Sequence, residues 1–122
     1  GTTTIYASQG ADNISLSSSA TETISYGATN TLGDTINGFA SGTDKLLFAR
    51  SAFSGDSNTN GALDFFQAGV GKTSSSDANV YFVQNQSDKI LYYDADANLA
   101  GTGIAVADLD TNIVITDITF GA

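Results

Sequence analysis

Three short segments set an acid two positions ahead of an isoleucine: Asp12-Asn13-Ile14, Glu22-Thr23-Ile24 and Asp34-Thr35-Ile36. With Ile5 ahead of them, the isoleucines fall 9, 10 and 12 residues apart. A step near nine is the period of a parallel β-roll, which turns one apolar residue per step inward and offers oxygen ligands to calcium at its turns. The chemistry on offer is cation binding by hard oxygens rather than turnover of a substrate. The candidate ligands in this half are Gly10, Asp12, Glu22, Gly33, Asp34 and Asp44. The glycines supply left-handed turns that expose carbonyls, and the acids supply the charge.

Two further constellations carry the same chemistry. Asp56, Asn58, Asn60 and Asp64 stand at positions 1, 3, 5 and 9 of a loop with Gly61 at 6, the ligand spacing of an EF-hand-like calcium loop. Position 12 is Gln67, a neutral amide, where such loops close with a bidentate carboxylate. The segment reads either as a bound-ion loop or as a plain Asn/Asp/Gly turn. Asp94, Asp96 and Asn98 share one side of an extended chain and either line a cation or cap a hairpin. Asp108, Asp110 and Asp117 read as solvated acids at strand ends.

Composition narrows the classes. Thirteen acids against 4 bases give a formal charge of -9, which repels nucleic acid and anionic lipid. Twelve of the acids are Asp, whose short stem suits tight turns and cation loops. Cysteine and histidine are both absent, so zinc, copper and haem ligation and a disulfide framework are excluded. Without histidine, a Ser or Thr nucleophile has no imidazole base and acid pairs lack a base tuned near neutral pH. The expectation is a chain that is not an enzyme. No run of 18 apolar residues exists, so no membrane-spanning helix is expected.

The elements that must position these acids are strands. With 41% hydrophobic and 10% aromatic residues in a chain of 122, a real core is available to one domain. Residues 1–48 read as worn β-roll rungs and an exit strand, each rung stable only when stacked on the next. Residues 49–122 read as an antiparallel β cap. Within it, residues 61–69 read as one short helix, 78–84 and 89–94 as a hairpin, and 103–107, 112–115 and 117–120 as further strands. The fold class expected is all-β: a short degenerate parallel β-roll leading into an antiparallel cap with at most one short helix. Tyr81, Phe82, Tyr92 and Tyr93 read as core, with a sugar-stacking platform as the other reading. The chain opens directly in strand-like sequence, which reads as a piece of a longer protein.

The phrases Asp34-Thr35-Ile36-Asn37-Gly38-Phe39, Gly42-Thr43-Asp44-Lys45-Leu46, Gly61-Ala62-Leu63, Ile90-Leu91-Tyr92-Tyr93-Asp94-Ala95-Asp96 and Ile104-Ala105-Val106-Ala107-Asp108-Leu109 occur in that order. In that order they resemble the C-terminal region of RTX, or haemolysin-type calcium-binding, exoproteins. The resemblance spans nearly the whole chain. Two departures stand out: the glycine-rich nonapeptides are nearly absent, and Ala97-Asn98 follows Asp96 where the family often has glycine. The resemblance implies a secreted, extracellular or cell-surface bacterial protein exported by the type I machinery, with calcium-assisted folding and an export signal around residues 108–120. A surface-layer or adhesin-type parent, with self-association, fits the Ser-, Thr-, Gly- and Ala-rich composition. The alternative function is a calcium-dependent carbohydrate-binding module directed at cell-surface polysaccharide.

Overall fold

Alternate residues of a strand face opposite sides, so a rung with one isoleucine can bury only one face and needs a neighbour on each side. The computed structural model describes residues 2–17, 20–28, 32–95, 97 and 103–121. It is all-β. The strands are β1 (Thr2–Tyr6), β2 (Asn13–Ser15), β3 (Thr21–Tyr26), β4 (Asp34–Asn37), β5 (Lys45–Ala49), β6 (Gln67–Gly69), β7 (Phe82–Asn85), β8 (Ile90–Tyr93), β9 (Ile104–Asp108) and β10 (Ile118–Gly121). They form one four-stranded sheet, β1-β3-β5-β10, and one six-stranded sheet, β2-β4-β9-β8-β7-β6.

From β1 to β5 the chain changes sheet at every turn, so odd strands stack in one sheet and even strands in the other, all parallel. The step read from the isoleucines is therefore half a coil. Ile5 pairs with Ile24, Ile24 with Leu46, and Leu46 with Ile118, while Ile14 pairs with Ile36 in the opposite sheet. Ile24, Ile36 and Leu46 are fully buried, whereas Ile5 and Ile14, on the edge strands, are only partly so. Phe48 sits at the centre of the core. Its ring stacks on Tyr26 at 5.3 Å and meets Phe53 at 4.9 Å, Phe82 at 4.7 Å and Phe120 at 6.1 Å between centroids.

The second half departs from the sequence reading in three places. No helix forms over 61–69: Ala62 bridges to Thr119, and Gln67–Gly69 is β6, parallel to β7. The stretch lacks a helical apolar face, since Phe65 is exposed while Leu63 is buried, and hydrogen bonds to Asp56 and from Asp64 hold it in turns. The cap is antiparallel only across β7, β8 and β9. β9 also runs parallel to β4, and β10 parallel to β5, so both return to the roll and supply its next coil. Residues 112–115 are not a strand. Val114 and Ile115 point outward and a single 3₁₀ turn, Ile115–Asp117, leads into β10. Among the described residues no helix is long and apolar enough to cross a membrane.

Truncating the hub of this core tests the packing. Phe48→Ala should destabilise the fold by about 3–5 kcal/mol, whereas Val70→Ala, at a residue 82% exposed, should change it by less than about 0.5 kcal/mol. Urea unfolding followed by far-UV circular dichroism measures both.

Candidate functional site

Where a strand ends, its hydrogen-bond ladder ends too, and the turn N–H groups need other acceptors. In this roll some, such as Ala7, Leu16 and Gly33, still reach a main-chain carbonyl of the next coil, and carboxylates accept several of the others. One edge brings Asp12 and Asp34 one above the other just ahead of the paired residues Asn13 and Thr35. The opposite edge stacks Glu22 and Asp44 just ahead of Thr23 and Lys45.

Each acid of a later coil reaches back to the coil before it. Asp34 Oδ1 accepts the Asp12 N–H at 2.8 Å, and Asp44 Oδ1 accepts the Glu22 N–H at 3.0 Å. Asp44 Oδ2 also takes the Ala40 N–H at 2.8 Å. Asp117 does the same for the third coil, accepting the Gly42 N–H at 2.7 Å and the Ser41 hydroxyl at 2.6 Å, with Val114 N at 3.0 Å. This corrects the sequence reading of Asp117 as a solvated strand-end acid; it is fully buried. Asp12, in the first coil, instead accepts from Ser8 within its own turn.

Three polar atoms in these columns are enclosed by protein and have no hydrogen-bond partner: Asp34 Oδ2, Glu22 Oε1 and the Tyr26 hydroxyl oxygen. Tyr26 and Asp34 lie near enough to couple. Burial, followed by the Asp34 charge, pushes the Tyr26 hydroxyl far above its usual pKa. Burial also raises Asp34, an effect opposed by the Asp12 N–H and the Tyr26 hydroxyl and reinforced by the Asp12 charge.

The remaining candidates fall in separate places. Gly10 and Gly33 adopt the left-handed conformation, with φ of 85° and 94°, and present exposed turn backbone beside Asp12 and Asp34. Asp56 accepts N–H groups from Asn60 at 3.1 Å and Gly61 at 2.8 Å and is bridged by Arg50 at 3.1 Å. Desolvation works to raise its pKa, but the Gly61 and Asn60 donors and the Arg50 guanidinium overcome it and hold the carboxyl below the usual range. Asp64 Oδ2 takes both the backbone N–H and the hydroxyl of Ser57, and Asn60 Oδ1 takes the Ala62 N–H. Asn58 is exposed. Asp94 is buried and accepts the Ser75 N–H at 2.8 Å; Asp96 lies outside the described residues. Among the described residues no three acids converge as a metal-binding group.

Comparison of the chain with protein-family models, with curated proteins and with solved structures gives no match. What the site does must follow from its own chemistry. Of the aromatic residues read as core or platform, Phe82 and Tyr93 are buried in the core, while Tyr81 and Tyr92 are half-buried. Gln84 falls in a hairpin strand in the sequence reading, which gives no sign of its role as a buried tie. It is fully buried and ties the β7–β8 turn to residues 111–113, donating to the Lys89 and Thr111 carbonyls and accepting the Ile113 N–H.

Two substitutions separate the roles of the stacked acids. Asp44→Ala leaves the Glu22 and Ala40 N–H groups unpaired and should cost about 2–3 kcal/mol in a chemical melt. Asp34→Asn keeps an acceptor for Asp12 and removes a buried charge, so in chelator it should raise the melting temperature by about 4 °C. The sign follows from the raised pKa of Asp34. Its stability contribution is complete below the unfolded value of about 3.9 and is lost as pH rises through the higher folded value. Asp56 acts oppositely, contributing above the unfolded value and losing that contribution as pH falls through its depressed one. A pH series of melts should therefore show Asp34→Asn removing a decline on the alkaline side of pH 4.

Proposed function

We propose that the chain is a non-catalytic, calcium-braced structural module of a secreted or surface-exposed bacterial protein. The observation that carries this reading is the enclosed Glu22 Oε1, which no protein group satisfies, together with the enclosed Asp34 Oδ2, beside which the Tyr26 hydroxyl stands too far for a short hydrogen bond. A buried carboxylate oxygen without a donor costs free energy, and a hard cation is a ligand that removes the cost. The donor set fits calcium in kind: carboxylates with turn carbonyls nearby, and no sulfur or imidazole.

Asp34 with Asp12 would hold a cation at one edge, and Glu22 with Asp44 at the other. Because these acids come in pairs, the remaining ligands would be backbone carbonyls and water. Bound calcium offsets the repulsion among stacked acids in a chain of charge -9 and ties each coil to the next. The likeness to RTX C-terminal phrases adds export by the type I machinery, folding after export and a place in surface assembly.

Calcium titration against chelator, read by thermal melt, tests this. At affinities of the extracellular class, Kd about 10⁻⁴ to 10⁻³ M, calcium at 100 times Kd should add about 2.7 kcal/mol per site. Asp34→Asn and Glu22→Gln should each remove part of the rise, and magnesium should not replace it. An identical melting temperature in chelator and in 10 mM calcium would rule the proposal out.

A further inference from the structure

Away from the acid columns, the loop after β5 and the segment leading into β7 enclose a cleft of about 280 Å³. Its wall includes Ser57, Asp64, Phe65, Asn79 and Tyr81. Phe65 is 52% exposed, whereas Phe39, Phe48, Phe53, Phe82 and Phe120 are buried and Phe66 is partly buried. Tyr81 is half-buried and Asn79 exposed, so an aromatic surface and an amide stand at the same opening.

The polar groups there differ in what they have left to offer. Asp56 is occupied by Arg50, Asn60 and Gly61. Asp64 is held in place by two hydrogen bonds from Ser57, at 2.8 and 2.7 Å, both to Oδ2, so that Oδ1 takes no part in fixing it. The Asn79 backbone is likewise fixed, its N–H donating to Asp77 at 3.0 Å. A positioned carboxylate accepts from hydroxyls, an amide both donates and accepts, and an exposed ring packs against a flat C–H face. A small cleft combining them suits a ligand with one apolar face and a rim of hydroxyls.

We propose that this cleft binds one pyranose ring of a neutral glycan, stacked on Phe65 and hydrogen-bonded to Asp64 and Asn79. Anionic ligands are disfavoured by the charge of -9 and by the carboxylate in the wall. An organic ammonium is the less suited cation-like occupant, because the Asp64 charge is already shared with two donors and the rings are too few to enclose it. The proposal does not depend on calcium at the turns of the roll, whose acids lie elsewhere in the chain.

The test is a ¹⁵N-resolved NMR titration of the full chain with methyl α-glucoside, methyl α-galactoside, mannose and N-acetylglucosamine, in calcium and again in chelator. At least one sugar should give saturable shifts confined to the amides of Asp64, Phe65, Asn79 and Tyr81. Phe65→Ala, at an exposed position, should leave the melting temperature unchanged and weaken binding about fivefold. Asn79→Ala, also exposed, should weaken it as well. Absence of saturable shifts with all four sugars, shifts centred elsewhere, or full affinity in Phe65→Ala would overturn the proposal, as would tighter saturation of the same amides by tetramethylammonium.

Discussion

Everything in the roll hangs on carboxylates that reach back one coil to accept main-chain N–H groups at the turns. Between the turns, parallel ladders and the Ile5–Ile24–Leu46–Ile118 column hold the coils together. At the turns the ladder runs on for a residue or so, as from Ala7 to Ser25, Leu16 to Asn37 and Gly33 to Val106, and Asp34, Asp44 and Asp117 then close the gap. A charged acceptor makes a stronger bond than a neutral one, and Asp is short enough to stay within the turn. The cost is charge brought inside, felt as the raised pKa of Asp34 and as oxygens with no partner.

The aromatic centre joins this roll to the excursion between β5 and β9. Phe48 belongs to the roll, and it packs against Phe53 and Phe82 of the excursion. Tyr93 meets both of those rings, at 5.0 Å from each, and its hydroxyl accepts the Ser54 N–H at 2.8 Å. The excursion is therefore more than a lid on one edge. It extends the six-stranded sheet beyond β9 and fills the interior from the far end.

The roll was legible because its signal is local and repeated: an acid, one spacer and an isoleucine state which side faces in. Ile24 and Ile36 are fully buried as that alternation requires. What the sequence could not state was which strand lies beside which. Alternation in Ile104-Ala105-Val106 and Ile118-Thr119-Phe120 reads the same for parallel and antiparallel pairing, and only the distant partners β4 and β5 decide it. Asp117 escaped for a related reason. Two of its three donors, Ser41 and Gly42, lie 76 and 75 residues away, and the local one, the Val114 N–H, does not by itself mark it as buried. The helix over 61–69 failed because its glycine and apolar spacing were read without the caps supplied by Asp56 and Asp64, which hold the segment in turns.

The return of β10 to β5 also bears on the order in which the molecule assembles. The first two coils join residues only 22 apart, through Asp34 and Asp44. The third closes contacts 71 to 76 residues apart, and ordering so long an intervening stretch lengthens the search before any contact rewards it. On loop-closure cost alone, the early coils are expected to form before the closing strand docks. A chain emerging N-terminus first would thus present an unfinished ribbon until residues 116–121 arrive.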